Sequence, residues 1–134
     1  MTLTDFEYLK GIMISKIMAV YFKAPDGIIG DPYSIVVPGK NSGWTILSAD
    51  GQGLIRADDD ILDGIFFDGI IGFSFIAPLI MMFEGQLDGS ETITSLNLLK
   101  EENKTTILLS LANCSLLSFR FEDDEIYFDL TSLK

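Results

Sequence analysis

The chain contains no histidine and only one cysteine, Cys114, and these two shortages exclude several kinds of chemistry. Catalytic Ser-His-Asp and Cys-His arrangements need an imidazole, so neither can be built. Structural zinc sites need several nitrogen or sulfur ligands, which one thiol does not supply. A single cysteine also cannot form an internal disulfide. We therefore expect no zinc site, no histidine-based catalysis and a fold that is held together without cross-links.

Basic residues are scarce. Nine lysines and arginines stand against twenty acids, which gives a formal net charge of -11 over 134 residues. Such a charge repels nucleic acid and anionic lipid. We expect no direct binding to nucleic acid or membranes, and partners that are basic proteins, cations or neutral molecules.

Motifs for phosphate and calcium binding are incomplete. Gly39-Lys40 resembles the end of a Walker loop, but Ser34 stands where the upstream glycine is required. Gly51-Gln52-Gly53 lacks the third glycine of a dinucleotide-binding loop. A calcium loop that started at Asp58 would have Asp63 where glycine is needed. We expect no cofactor, no metal site and no catalytic residues. Two alternatives stay open: weak cation binding by the aspartates at 58–60, and hydrolysis by a pair of carboxylates.

The C-terminal third has the clearest structural pattern. Short acidic or amide-containing turns separate four segments in which apolar and polar residues alternate, as in half-buried strands. The predicted strands are Thr92–Leu99, Thr105–Ala112, Ser115–Glu122 and Glu125–Thr131. Short sequential connections of this kind predict an antiparallel meander.

The rest of the chain predicts further strands and one or two short helices. Residues 44–48 and 54–57 flank a turn-rich tetrapeptide and predict a hairpin, with a short helix after 58–60. Residues 70–87 predict two strands broken around Pro78. The N-terminus fits either periodicity, and we favour a short helix over 4–11 followed by a strand to Lys23. The predicted fold class is α+β and strand-rich: one compact domain over 1–134, with a single antiparallel sheet or partly closed barrel that includes the C-terminal β-meander.

The uncharged run Gly69–Phe83 raises the question of whether the chain crosses a membrane. A spanning helix needs about 20 apolar residues, and this run is shorter and contains Pro78. We expect a buried core segment rather than a membrane span. Residues 1–7 include acids where a secretory signal carries positive charge, so we expect a cytoplasmic protein.

The strongest functional signal is the distribution of acids. No basic residue lies between Arg56 and Lys100, where eight acids fall, and a second base-free stretch over 121–133 contains five. Acids beside exposed aromatic residues are typical of protein interfaces, where charge supplies steering and aromatic rings supply binding energy. The alternative is that these acids are solvated turns that keep an apolar domain soluble. The candidate partner-binding residues are Asp58, Asp59, Asp60, Asp63, Glu122, Asp123, Asp124, Glu125 and Tyr127.

In this overall character the chain resembles the immunity proteins that accompany bacterial polymorphic toxins, including contact-dependent growth inhibition systems. The segments that carry the resemblance are Asp58–Asp60 and Phe121–Phe128. The resemblance implies a non-enzymatic toxin inhibitor that binds one cognate toxin domain, often a basic nuclease, and covers its active site or substrate groove. Three alternatives stay open: a DNA-mimicking inhibitor of a nucleic-acid enzyme, a structural or assembly subunit, and an enzyme that acts through carboxylates or a bound cation.

Overall fold

The structure is a computed structural model that describes residues 3–40, 43–49, 51, 55–58, 67–68, 72–83 and 85–132. These residues form ten strands and three short 3-10 helices. The strands are β1 (Met18–Lys23), β2 (Ser34–Pro38), β3 (Trp44–Ala49), β4 (Ile55–Asp58), β5 (Phe67–Asp68), β6 (Gly72–Pro78), β7 (Ile93–Glu101), β8 (Lys104–Leu111), β9 (Ser115–Glu122) and β10 (Glu125–Ser132).

The predicted C-terminal meander is confirmed. Strands β7 to β10 form an antiparallel sheet in the order β10-β9-β8-β7. Alternation in β8 and β9 places every second residue in the core and the others at the surface. Asn103 and Asp123 adopt the left-handed conformation in the tight turns, with φ of 63° and 56°. Asn and Asp tolerate this conformation better than most residues do, which explains their presence there.

The remaining strands form a second antiparallel sheet, in the order β4-β3-β2-β1-β6-β5. The predicted β3–β4 hairpin is confirmed, with Ala49 paired with Ile55. Strand β2 was not predicted, because Ser34–Val37 are all buried and therefore show no alternation. The flanking prolines and glycines also disguise it as a loop.

The expectation of a single sheet or partly closed barrel is wrong: the described strands form two separate sheets without a closed barrel. Each sheet presents an apolar face that needs a second layer. The two faces meet in one core that includes Tyr21, Ile35 and Leu47 from one sheet and Leu117 and Phe119 from the other. The antiparallel, strand-rich character of the prediction is confirmed.

Helical structure in the described residues is limited to the 3-10 segments Leu3–Leu9, Ile14–Lys16 and Leu79–Phe83. The first of these, followed by β1, confirms the predicted order of a short helix and then a strand. The predicted second strand after Pro78 is wrong, because the chain continues as a 3-10 helix there. Leu79 is the first residue of this helix, and its N–H donates to the Ile17 carbonyl at 2.9 Å. The preceding residue is also fixed, since the Tyr21 hydroxyl donates to the Pro78 carbonyl at 3.0 Å. No helix in the described ranges is long and apolar enough to cross a membrane.

Candidate protein-binding surface

The outer face of the four-stranded sheet is an ordered array of mostly polar and charged side chains, with two leucines among them. The strand register aligns them in rows that run across the sheet. The first row is Glu101, Lys104, Glu122 and Glu125; the second is Leu99, Thr106, Arg120 and Tyr127; the third is Asn97, Leu108, Ser118 and Asp129. The intervening rows point into the core, so this face is available to solvent.

One end of this sheet, here called the acidic end, contains both tight turns, β7–β8 and β9–β10. It carries six carboxylates, which belong to Glu101, Glu102, Glu122, Asp123, Asp124 and Glu125. Among the described side chains, two of them form an ion pair with a base: Lys104 lies 3.5 Å from Glu101, and Arg120 lies 3.9 Å from Glu122. Among the described side chains, none forms an ion pair with Asp123, Asp124 or Glu125. Within the part of the chain that the structure describes, the charge of the β9–β10 turn is therefore uncompensated.

Tyr127 is the aromatic residue of the acidic end, and neighbours on its own sheet fix its position. Its hydroxyl donates to Glu125 Oε2 at 2.8 Å, and the Arg120 guanidinium carbon lies 4.5 Å from the centre of its ring. The second contact is a cation–π interaction. The hydrogen bond to Glu125, reinforced by the negative charge of that carboxylate, raises the pKa of the Tyr127 phenol. The ring is 41% exposed despite these contacts.

A groove of about 280 Å³ joins Tyr127 to the loop between β1 and β2. We call it the Tyr33–Tyr127 groove. It is lined by Asp31, Pro32, Tyr33, Asp124, Glu125, Ile126 and Tyr127. Two exposed tyrosines and three acidic residues therefore line one concave surface.

Backbone and side-chain hydrogen bonds hold the β1–β2 loop in place beside the acidic end. The Tyr33 N–H donates to the Val20 carbonyl at 3.0 Å, which continues the strand pairing beyond β2. The Tyr33 hydroxyl shares a 2.8 Å hydrogen bond with Ser74 Oγ of β6. The Gly51 N–H donates to the Asp123 carbonyl at 3.0 Å and fastens the β9–β10 turn to the other sheet. The groove is therefore formed by segments that are fixed at both walls.

A second groove, of about 490 Å³, lies on the outer face of the sheet. It is lined by Lys104, Thr106, Ser118, Arg120, Tyr127, Phe128 and Asp129. Tyr127 lines both grooves, whereas Arg120 lines only this larger one. The two grooves differ in charge, since the larger one contains two bases and the Tyr33–Tyr127 groove contains none.

The predicted site residues fall into two groups. Glu122, Asp123, Asp124, Glu125 and Tyr127 lie together at the acidic end, as the predicted hairpin implied. Asp58 is the last residue of β4 and pairs with Ile46, at the end of that strand farther from the β9–β10 turn. Asp59, Asp60 and Asp63 lie outside the described residues. Across the described ranges, no three His, Cys, Asp or Glu side chains gather closely enough to hold a metal ion.

Sequence reasoning missed Asp31, Tyr33 and Arg120 as members of this surface. The position of Arg120 was predictable, because a two-residue turn at 123–124 pairs Glu122 with Glu125 and therefore Arg120 with Tyr127. The positions of Asp31 and Tyr33 were not, since about 90 residues separate them from β10 along the chain. Only the packing of the two sheets brings them together.

Comparisons with known proteins give this surface no precedent: no protein-family model, no curated protein and no solved structure matches the chain.

Proposed function

We propose that this protein is a non-enzymatic, acidic binding protein that neutralises a basic protein toxin by docking its acidic end against the toxin's active site or substrate groove. What supports the proposal is the acidic end itself. Uncompensated carboxylates in the β9–β10 turn lie beside two exposed, hydrogen-bonded tyrosines, Tyr33 and Tyr127. This combination suits an interface in which charge accelerates encounter and aromatic rings provide contact area.

The partner class follows from charge complementarity. A nuclease domain carries a basic groove for phosphates, and a surface with several carboxylates matches such a groove. Association would then be fast at low ionic strength and would slow steeply as salt screens the charges.

The test first expresses the products of the genes that lie beside this one and takes a product that arrests growth as the candidate toxin. We expect co-expression of the protein to restore growth, and the purified pair to bind one to one with an association rate that falls at least tenfold between low salt and about 0.5 M salt. The double variant Asp124→Asn/Glu125→Gln should weaken binding about tenfold or more, because it removes two uncompensated charges from the interface.

The matched control is Asp88→Asn/Glu91→Gln, which removes the same charge from the loop before β7. It should leave the affinity within about threefold, since long-range charge alone is largely screened. If the neighbouring gene product does not bind, or if both double variants weaken binding equally, the acidic end is not the inhibitory surface.

A further inference from the structure

The acidic end already contains one bound guanidinium, that of its own Arg120. The guanidinium carbon lies 4.5 Å from the centre of the Tyr127 ring, and Nε lies 3.9 Å from a carboxylate oxygen of Glu122. An aromatic face and a carboxylate are the two features that a planar cation recognises. Arg120 therefore demonstrates, within this chain, how a guanidinium binds at Tyr127.

The Tyr33–Tyr127 groove repeats the same chemistry without a cation. It is lined by two tyrosines, Tyr33 and Tyr127, and three acidic residues, Asp31, Asp124 and Glu125, together with Pro32 and Ile126, and none of these residues is basic. Arg120 does not line this groove.

The groove is preorganised and small. The hydroxyls of Tyr33 and Tyr127 are each held by a 2.8 Å hydrogen bond, to Ser74 and Glu125 respectively. Rings that are fixed before binding lose little conformational entropy when a partner arrives. A volume of about 280 Å³ lies just below the range of about 300–1,000 Å³ that is typical of small-molecule pockets, and it suits one side chain.

We propose that the Tyr33–Tyr127 groove binds an arginine side chain of the partner protein, with the guanidinium stacked on the tyrosine rings and hydrogen-bonded to the carboxylates of Asp31, Asp124 and Glu125. This inference rests on the proposed function and names the residue that the partner inserts. Arginine is favoured over lysine because a planar guanidinium stacks on aromatic rings and donates two parallel hydrogen bonds to a carboxylate. An ammonium is also attracted to an aromatic face, but it is a point charge that neither stacks flat on a ring nor donates a paired set of hydrogen bonds to one carboxylate.

The test compares two peptides of equal charge, acetyl-(Gly-Arg)4-amide and acetyl-(Gly-Lys)4-amide, titrated into isotope-labelled protein at 0.15 M salt. The arginine peptide should bind about tenfold more tightly, which corresponds to about 1.4 kcal/mol. It should also shift the ring resonances of both Tyr33 and Tyr127. Asp124→Asn/Glu125→Gln should weaken both peptides, and the arginine peptide more, because it removes two of the carboxylates to which a guanidinium donates paired hydrogen bonds.

The variants Tyr33→Leu and Tyr127→Leu should each reduce the preference for arginine to about threefold or less, because each removes one stacking surface. The matched control is Trp44→Leu, which removes an aromatic residue that is also exposed but lies outside the groove; it should keep the full preference. If a leucine variant does not fold, the shifts that the arginine peptide causes in the Tyr33 and Tyr127 ring resonances of the unaltered protein still test the arginine assignment.

Equal binding of the two peptides, or shifts that spare the Tyr33 and Tyr127 rings, would overturn the arginine assignment. The proposed function would survive that result, since a basic partner could still dock through charge alone. Conversely, failure of the neighbouring toxin to bind would remove the inhibitory role and leave the arginine preference as a measured property of the groove.

Discussion

The two ends of the four-stranded sheet are built by similar tight turns but differ in charge. At the acidic end the turns contain Asn103 and Asp123 in the left-handed conformation; at the opposite end the β8–β9 turn contains Cys114, with φ of 70°. The β8–β9 turn, residues 112–114, carries no charge, and its geometry is stabilised by Asn113 Oδ1, which accepts from the Ser115 N–H at 2.9 Å. A tight turn in this sheet therefore does not require acids.

The acidic end carries more features that oppose folding than the β8–β9 turn does. Besides its uncompensated carboxylates, it contains the second residue of β8, Thr105, which is 2% exposed and whose hydroxyl has no hydrogen-bond partner among the described residues. A buried unpaired hydroxyl and a cluster of like charges both oppose folding.

The largest effect that we predict on stability comes from Thr105. Replacing it by valine removes the unpaired hydroxyl and keeps the shape of the side chain, so Thr105→Val should raise the free energy of unfolding by about 1–2 kcal/mol. Urea denaturation measures this change. Thr106→Val is the matched control: Thr106 is the next residue of β8, on the half-buried outer face, and its replacement should be close to neutral. A destabilised Thr105→Val protein would mean that this hydroxyl does have a partner.

The difference between the two ends was partly visible in the sequence. Strict alternation over β9 and β10 and a two-residue turn fix both strands and their register, so the grouping of Glu122 to Glu125 with Tyr127 could be predicted. The second wall of the groove could not, because Tyr33 reaches it through strand pairing with β1 and the packing of one sheet on the other. Local patterns determine strands and hairpins, whereas contacts between layers depend on the whole fold.

The division into two sheets was missed for a related reason. Residues of β2 are buried on both faces and show no period-2 pattern, so this strand did not appear in the prediction. Without β2, β1 and β3 lack the strand that joins them in one sheet. The remaining strands could then be accounted for by a single sheet or barrel.

A smaller effect is expected from removing single acids at two places. Asp124→Asn should raise the melting temperature by roughly 1–3 °C at low salt, because it relieves repulsion among the carboxylates of the acidic end. The gain should disappear in 1 M salt. Asp88→Asn should instead lower the melting temperature. Hydrogen bonds from the Ser90 backbone N–H and hydroxyl lower the pKa of Asp88 and stabilise its charged form, and the substitution removes that charge. That stabilisation is present at neutral pH and is lost as pH falls through the lowered pKa.

Thermal melts of the two variants at both salt concentrations test this pair of predictions. The two shifts should differ in sign at low salt, and only the Asp124 shift should depend strongly on salt. Two shifts of the same sign would mean that the acids of the β9–β10 turn are no less favourable to folding than those elsewhere.

The smallest effect concerns the ionisation of Tyr127. Its hydroxyl donates to Glu125, and this bond together with the nearby carboxylate charge raises the pKa of the phenol above its usual value of about 10. Because the folded state favours the protonated phenol, the stabilisation is complete below the unfolded pKa and is lost as pH rises through the raised value. Burial raises the pKa of Tyr21 further, to about 12, so Tyr127 should ionise before Tyr21.

An NMR titration of the tyrosine rings against pH distinguishes the ionisation of Tyr127 from that of Tyr21. Glu125→Gln should lower the pKa of Tyr127, since it removes the negative charge beside the hydroxyl, whereas Arg120→Gln should raise it, since it removes the cation over the ring. Neither change should move the pKa of Tyr21, whose hydroxyl donates to the Pro78 and Leu79 carbonyls, where β6 ends and the third 3-10 helix begins. If Glu125→Gln left Tyr127 unchanged, the hydrogen bond to Glu125 would not hold the ring, and the wall of the groove that Tyr127 forms would not be fixed before a partner arrives.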